Sequence, residues 1–342
     1  MKHNKLIFTL ICVFVLLLAG SLITFNHQKP RIMVLHSYSE ADRWEQSFNR
    51  GVRSVLETVR VPLAQRWHYM TFVPFDNPSP NEWAASAQRA RLVIDQWQPD
   101  VLLIVGEEAQ DFVGRYYVDQ DNIHIVYATA EHPQTYGYDT AQNVTGVRET
   151  LPLDAIKQLF QYARKQPLKI HSIGIDNQTG RAEREQLLAY DWGAHTLLDV
   201  TLAQDRDEWE QAVYDAKDAD ILIVLSLSGL AEQKDGSAVA DPRKLGLWTQ
   251  THAKPLALGI RESFVIDGGA IAVVPSGEGL GQQATAMATN ILLHPNSELS
   301  LGQNSEHFIL ALRPDKLAQK GIVLPSVYVQ AARASHSLYT SP

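Results

Sequence analysis

The chain has 342 residues, of which 45% are hydrophobic and 20% are charged, and its formal net charge is −8. This composition excludes a disordered or fibrous chain, and the length suffices for two lobes of ordinary domain size. The acidic balance also argues against a nucleic-acid partner, because such a protein needs a surplus of lysine and arginine to neutralise phosphates.

The amino-terminal end carries an uncharged apolar run of 20 residues at 6–25, preceded by Lys2 and Lys5 and followed by Lys29. Such a run can cross a bilayer of roughly 30 Å, and the basic residues ahead of it keep the amino end in the cytoplasm. Residues 1–29 are therefore predicted to form a signal peptide or an inner-membrane anchor, with the anchor favoured. In either case the remainder of the chain is expected in the periplasm.

The only cysteine, Cys12, lies inside this apolar run. The exported portion can then form no disulfide, thiolate metal site or cysteine nucleophile. The sequence also lacks a G-x-S-x-G elbow, an H-E-x-x-H pair and a P-loop. It therefore predicts a protein that is not an enzyme and holds no cofactor or metal.

Beyond residue 31, short apolar runs alternate with amphipathic helical patterns, which is typical of parallel sheets covered by helices on both faces. Strands are predicted at 32–35, 69–73, 101–105, 123–128, 170–175, 197–202, 221–225, 256–260 and 271–274. Helices are predicted at 43–58, 81–97, 107–117, 152–165, 178–191, 206–217, 243–252 and 279–293. This number of units exceeds one comfortable sheet, so the fold class is α/β with two doubly wound lobes. A boundary between the lobes is expected near 143–147.

Residues 32–57 show most clearly where a ligand would bind. An apolar run is followed by the polar elbow His36-Ser37-Tyr38-Ser39 and then by a helical pattern that begins near Trp44. Open α/β sheets bind ligands at the carboxyl ends of their strands. Tyr38 and Trp44 could stack on a planar ligand, although Trp44 could equally be the first core contact of its helix.

Several other predicted strands end in polar or small residues. Where such an elbow opens a helix, backbone N–H groups favour an anionic ligand group, but helix capping explains each elbow as well. Glu107 and Glu108, which follow the strand at 101–105, would repel an anion. Arg261 could clamp a carboxylate through two hydrogen bonds or pair with the neighbouring Glu262. The run at 277–281 fails as a dinucleotide fingerprint, because its third glycine comes one residue early.

Five segments resemble exported solute-binding proteins of ABC transporters with the type I periplasmic binding fold. They are VLHSY with the following Trp44, PDVLLIVG at 99–106, NVTGV at 143–147, GGAIAVVPSGEGLGQQATAMATNILL at 268–293 and ILALRPDKLAQKGIVLP at 309–325. No single motif is specific, but their order matches over residues 31–325. The last segment looks like the closing strand, helix and Gly-hydrophobic-Pro ending of that family.

The resemblance implies two hinged lobes that close on one solute. Lobe 1 would comprise 30–145 and 275–302, lobe 2 would comprise 146–274 and 303–330, and 331–342 would be a tail. The residues expected to line the cleft by position are Ser37, Tyr38, Trp44, Gly106, Glu107, Ala128, Thr129, Asp176, Ser226, Ser228 and Ser276.

The expected function is the capture of a small molecule for an ABC transporter permease. The alternative is a periplasmic sensing module that signals to a membrane protein such as a histidine kinase or cyclase. A third hypothesis is an exported serine enzyme that uses Ser37 or Ser228 with a distant histidine. Aromatic, carboxylate-binding and amine-binding candidates together suggest an amino acid or a similar small zwitterion as the solute.

Overall fold

The computed structural model describes most of the chain beyond residue 28. The described residues are 11–18, 20–21, 29–72, 79–130, 133–163, 167–227, 229–236, 238–295, 297–299 and 302–340. The rest of the predicted apolar run, Val73 and Ser228 lie outside these ranges. Residues 11–18 and 20–21 are helical, and among the described residues no helix has the length and hydropathy needed to cross a bilayer. The signal peptide or anchor stays a prediction.

The chain forms two compact units, each of which is discontinuous in sequence. Unit 1 contains residues 1–148 and 281–303, and unit 2 contains 149–280 and 304–342. The chain therefore passes from one unit to the other after residues 148, 280 and 303.

Each unit contains one six-stranded sheet. Sheet 1, with strand order β11-β5-β4-β3-β1-β2, is built from β1 (Arg31–Tyr38), β2 (Ala64–Phe72), β3 (Val101–Val105), β4 (His124–Ala128), β5 (Val144–Arg148) and β11 (Gln303–Asn304). Sheet 2, with strand order β12-β10-β9-β8-β6-β7, is built from β6 (Lys169–Ile175), β7 (Thr196–Ala203), β8 (Ile221–Val224), β9 (Leu256–Gly259), β10 (Ile271–Pro275) and β12 (Phe308–Leu312). The β1–β2, β1–β3, β3–β4 and β4–β5 pairs of sheet 1 are parallel, and in sheet 2 β12 runs antiparallel to β10.

Helices connect the strands in chain order. They are α1 (Arg43–Leu56), α2 (Pro80–Trp97), α3 (Glu107–Phe112), α4 (Leu153–Ala163), α5 (Gln178–Ala189), α6 (Arg206–Asp215), α7 (Pro242–His252), α8 (Glu262–Ile266), α9 (Gly277–Leu293), α10 (Pro314–Gln319) and α11 (Ser326–Ala334). Single 3₁₀ turns lie at Gly114–Tyr117, Pro133–Tyr136 and Ala216–Asp218.

The central strands are buried on both faces, as the predicted α/β class requires. In β8, Ile221 and Ile223 belong to one apolar cluster, whereas Leu222 and Val224 belong to another on the opposite face. Every residue of β3 is buried. The α/β architecture with two parallel-dominated sheets is confirmed.

Three strands, β5, the two-residue β11 and β12, were not predicted from their own residues, and the predicted tail is structured. Residues 144–148, assigned to a lobe boundary, form β5, and a short Val-Thr-Gly-Val stretch gives little alternation to identify it. Strand β12 is predicted only by the family resemblance. Residues 331–334 complete α11, and Leu338 pairs with Leu312 of β12. The ordering of this end follows from contacts distant in sequence, which a local pattern does not encode.

The first crossover shows how local sequence and packing agree. The Asp42 carboxylate caps α1 by accepting from the N–H groups of Trp44 and Glu45. Phe48 then lies fully buried on the inner face of the helix. Helix α9 approaches α1 so closely that a Cβ at Gly281 would lie 2.2 Å from the carbonyl oxygen of Phe48. Only glycine permits this backbone approach.

We expect Gly281→Ala to lower the free energy of unfolding by about 1–3 kcal/mol, because the added methyl group must push α9 away from α1. The measurement is urea unfolding followed by circular dichroism. Gln282→Ala, at the next and half-exposed position, is the control and should change stability by less than about 0.5 kcal/mol. Equal effects of the two substitutions would show that the close approach is not a constraint.

Candidate functional site

The predicted site residues of unit 1 follow three neighbouring strands of sheet 1. Ser37 and Tyr38 end β1, Gly106 and Glu107 follow β3, and Thr129 follows β4. These strands are adjacent and parallel, so their carboxyl ends meet at one edge of the sheet. The structure therefore places these five residues together, as the sequence predicted.

Hydrogen bonds fix the floor of this edge. The Ser37 hydroxyl donates to the carbonyl of Val105 at 3.1 Å and accepts from the backbone N–H of Ala109 at 2.9 Å. The backbone N–H of Gly106 donates to the Thr129 hydroxyl at 2.9 Å. Ser37 thus ties β1 to β3 and to the first turn of α3, and its hydroxyl is committed to structure.

Gly106 and Thr129 both have positive φ angles, +91° and +64°. A Cβ at Gly106 would lie 2.4 Å from the Ser37 hydroxyl oxygen. The chain passes from β3 into α3 through Gly106. A side chain at this position would clash with Ser37 and strain the backbone, so the position requires glycine.

Two of the predicted contact residues are differently placed. Ala128 is fully buried, so its side chain does not reach the surface of this edge. Trp44 is half-buried, and its ring stacks on that of Phe48 with 5.6 Å between centroids. Of the two interpretations of Trp44, the structure shows the helix-core contact, with part of the ring left accessible.

The most distinctive feature of the edge is a pair of tyrosine–glutamate hydrogen bonds. The Tyr38 hydroxyl donates to the Glu108 carboxylate at 2.9 Å, and the Tyr136 hydroxyl donates to the Glu107 carboxylate. All four side chains are half-buried. We name these four residues the Tyr–Glu edge. It presents two carboxylates beside two aromatic rings.

Burial and the adjacent carboxylates raise the pKa values of both tyrosines in the Tyr–Glu edge. Desolvation, followed by the charge of Glu108, raises the pKa of Tyr38 far above its ordinary value. Desolvation and the hydrogen bond to Glu107 raise the pKa of Tyr136 similarly. Both phenols therefore stay protonated as donors, which keeps the carboxylates oriented.

In unit 2 the predicted residues are engaged mainly in structural contacts. Asp176, after β6, pairs with Arg181 at 2.7 Å, and this hydrogen bond lowers the pKa of the Asp176 carboxyl. The Ser276 hydroxyl accepts from the N–H of Gly279 at 3.0 Å, so it caps the first turn of α9. For Ser276 the capping alternative is the one observed.

Arg261, which follows β9, lies between two glutamates of unit 2. Its terminal nitrogens donate to Glu149 at 2.7 Å and to Glu183 at 3.0 Å. Glu183 is buried, and its other oxygen accepts from the N–H of Ser226 at 3.4 Å. Of the two interpretations of Arg261, the structure shows the pairing with acids, although the partners are Glu149 and Glu183. Glu262 accepts from the Tyr339 hydroxyl.

Sequence reasoning missed several polar partners of the site. Tyr136 lies within a loop-like stretch at 132–142 without periodicity, and Glu149 and Glu183 lie far from Arg261 in sequence. No local pattern could join them. Glu108 was named in the same elbow as Glu107 but was not placed among the residues expected to line the cleft. Among the described residues, no group of three or more histidine, cysteine, aspartate or glutamate side chains is arranged to hold a metal ion.

We expect Gly106→Ala to destabilise the chain more than Gly137→Ala. Both positions have positive φ, +91° and +78°, but only Gly106 is crowded by Ser37. The strained backbone alone costs roughly 1–3 kcal/mol, and the difference between the two variants isolates the clash. The readout is the urea midpoint, and equal midpoints would contradict the packing described for Ser37.

The raised tyrosine pKa values predict a delayed ionisation. Tyr38 and Tyr136 should keep their protons while exposed tyrosines ionise near pH 10, so the stability that they contribute is present below about pH 10 and declines as the pH rises further. Ultraviolet difference absorbance between pH 9 and 12 measures the late fraction. Tyr38→Phe should remove one late-ionising group. A late fraction that is unchanged in Tyr38→Phe would contradict the burial of Tyr38.

Comparison with known proteins gives structural matches only. No family model matches the chain, and neither does any curated protein. The ligand-free, open structure of a substrate-binding protein with adhesive properties from Clostridium difficile matches with a TM-score of 0.63 at 14% identity, over 91% of this chain and 99% of the other.

Two further matches have similar coverage. An ABC domain in complex with L-Trp from Streptococcus pneumonia has a TM-score of 0.60 at 14% identity, over 89% of this chain and 98% of the other. A periplasmic ribose ABC transporter structure from Conexibacter woesei has a TM-score of 0.55 at 12% identity, over 90% and 98%. At such identities the likeness establishes architecture and transfers no ligand. The chain has the two-unit α/β fold of type I periplasmic binding proteins.

Proposed function

We propose that this chain is an extracytoplasmic solute-binding protein that captures a small amine-bearing molecule, such as an amino acid, and presents it to an ABC transporter permease. The observation that carries the proposal is the Tyr–Glu edge, where oriented carboxylates lie beside aromatic rings at the carboxyl end of sheet 1. Open α/β sheets bind ligands at this end. The fold shared with solute-binding proteins supports the same function.

The charges of the candidate residues favour an amino group over a carboxylate. Glu107 and Glu108 are acceptors once ionised, and neighbouring aromatic faces attract cations. Arg261, the sequence's candidate carboxylate clamp, already has its terminal nitrogens engaged by two glutamates. The proposed recognition therefore rests on the amine, with the accessible part of Trp44 offering an apolar contact.

Binding would act through a difference in affinity between two conformations of the protein. A solute shifts such an equilibrium only by as much as it favours one state over the other. A permease would then distinguish the loaded from the empty protein. A membrane sensor reading the same change is the competing partner.

An enzymatic use of Ser37 is not supported by its contacts. The Ser37 hydroxyl donates to a backbone carbonyl, and the ring nitrogens of His36 face Glu45 and Asn49 instead of the serine. A nucleophilic serine needs a base within hydrogen-bond reach of its hydroxyl.

The location outside the cytoplasm remains part of the proposal and is supported by the apolar run at 6–25.

The test is a thermal-shift screen of the full chain against amino acids, biogenic amines, sugars, nucleosides and dicarboxylates. A solute at about 100 times its Kd should stabilise the native state by about 2.7 kcal/mol. Amine-bearing compounds should produce saturable shifts and neutral sugars should not. A folded sample that responds to none of these classes would overturn the proposed function.

Charge-removing variants locate the site. Glu107→Gln and Glu108→Gln should each weaken amine binding at least tenfold, about 1.4 kcal/mol, because a charged hydrogen-bond partner is lost. Asp111→Asn removes the same charge from an exposed position of α3 and serves as the control. Binding that survives both glutamate substitutions would place the solute elsewhere, and binding of sugars alone would reject the amine while keeping the solute-binding function.

A further inference from the structure

A buried histidine–glutamate pair lies directly behind the Tyr–Glu edge. His36, at the end of β1, is 0% exposed, and Glu45, in the first turn of α1, is 1% exposed. The Nδ1 atom of His36 faces a carboxylate oxygen of Glu45. The Nε2 atom lies 3.1 Å from the side-chain oxygen of Asn49. Both ring nitrogens of one buried imidazole are therefore engaged.

The orientation of the Asn49 amide is fixed by its other neighbours. The indole N–H of Trp67, which can only donate, points to the Asn49 oxygen at 2.8 Å. The amide nitrogen of Asn49 donates to the Tyr69 hydroxyl at 3.0 Å. The atom that faces His36 Nε2 is thus an acceptor, so Nε2 must carry a proton.

The same argument applied to Nδ1 shows how many protons His36 and Glu45 hold together. Its partner is a carboxylate, which is an acceptor when ionised, and a neutral imidazole has only one N–H to give. One additional proton must lie between His36 and Glu45. The negative ring face of Tyr69, stacked at 4.8 Å from the imidazole, favours a cation there and so favours this proton on the ring.

We propose that His36 is a buried imidazolium, paired with Glu45, and that this pair is a pH-sensitive clasp that positions the solute-contacting residues Tyr38 and Trp44. The clasp joins the last residues of β1 to the first turn of α1. The segment between them, residues 37–44, carries both contact residues. This consequence for the solute rests on the proposed function, whereas the protonation state does not.

The sign of the pH response follows from the groups that face the imidazole. Loss of the proton would leave a lone pair on Nδ1 against the Glu45 carboxylate, so the clasp loosens as the pH rises. Glu45 and Asn49 face His36 from α1, and Tyr69 faces it from β2. Around them, Glu40 and Arg53 act on the Tyr69 hydroxyl with opposite signs, so a positive charge does not dominate the surroundings.

His171 offers an internal comparison, since it is a buried histidine on β6 of unit 2. Its Nε2 atom lies 3.1 Å from the Thr201 hydroxyl, which can accept or donate. Burial lowers the pKa of His171. A neutral His171 and a charged His36 in the same molecule are the pattern that this inference requires.

The experiment is nitrogen-detected NMR of the full chain labelled with ¹⁵N in histidine and tryptophan, recorded between pH 6 and 9 without any solute. At pH 8, His36 should give two protonated ring nitrogens and His171 a neutral ring. The Trp44 indole signal should shift at the pH where His36 loses its second ring proton. Trp44→Phe and His171→Gln assign the two reporter signals.

Glu45→Gln removes the need for the additional proton, because the glutamine amide can donate to Nδ1 of a neutral imidazole. In this isosteric variant the second ring proton of His36 and the pH response of Trp44 should both disappear. Glu57→Gln, at an exposed position at the end of α1, should preserve both. His36→Gln serves to assign the signals of the His36 ring. If this variant fails to fold, the signals lost in Glu45→Gln still identify that ring.

Two outcomes would overturn the inference. One is a neutral His36 ring at pH 8 in the unmodified chain. The other is a Trp44 signal whose pH response is unchanged by Glu45→Gln, which would show that the pair does not position the segment. Because no solute is present, neither outcome depends on whether the proposed function is correct.

Discussion

Burial of the central strands on both faces constrains the rest of each unit. Strands such as β3 and β8 have no solvent-facing side on which to place polar groups. Polar side chains must therefore collect where the strands end, and parallel pairing brings those ends to one edge of the sheet. The Tyr–Glu edge is the result in unit 1. The same constraint in unit 2 brings Arg261 to the end of β9 and places Ser226 beyond β8.

The two edges use their polar groups differently. In unit 1, phenols hold the carboxylates of Glu107 and Glu108 without neutralising them. In unit 2, arginines pair with the acids directly, as Arg261 does with Glu149 and Glu183. Ion pairs of this kind satisfy the buried Glu183 but leave little charge for a solute. The contrast explains why recognition is proposed to centre on unit 1.

Much of the fold could be predicted from periodicity, because buried strands and amphipathic helices leave strong local patterns. β3 was predicted with its observed bounds, and most helices within two or three residues of theirs. β5 was not predicted because its glycine-containing stretch is short. β12 was not predicted because the long helix α9 separates it in sequence from its partner β10. At the site, the polar residues at the ends of the strands were predictable, but their hydrogen-bond partners were not. Ser37 could be named from its place after the apolar run at 32–35, which the structure extends to Tyr38. Its hydrogen bonds to Val105 and Ala109 depend on tertiary packing, and so does the hydrogen bond between Tyr136 and Glu107.

The close approach at Gly281 also bears on how the chain is made. Helix α1 is complete at Leu56, but the glycine that packs against its Phe48 is synthesised only after the whole of unit 2 up to residue 280. At 5–20 residues per second, this leaves that side of α1 uncovered for roughly 10 to 45 seconds. Unit 1 therefore cannot complete its packing in the order in which its strands are synthesised.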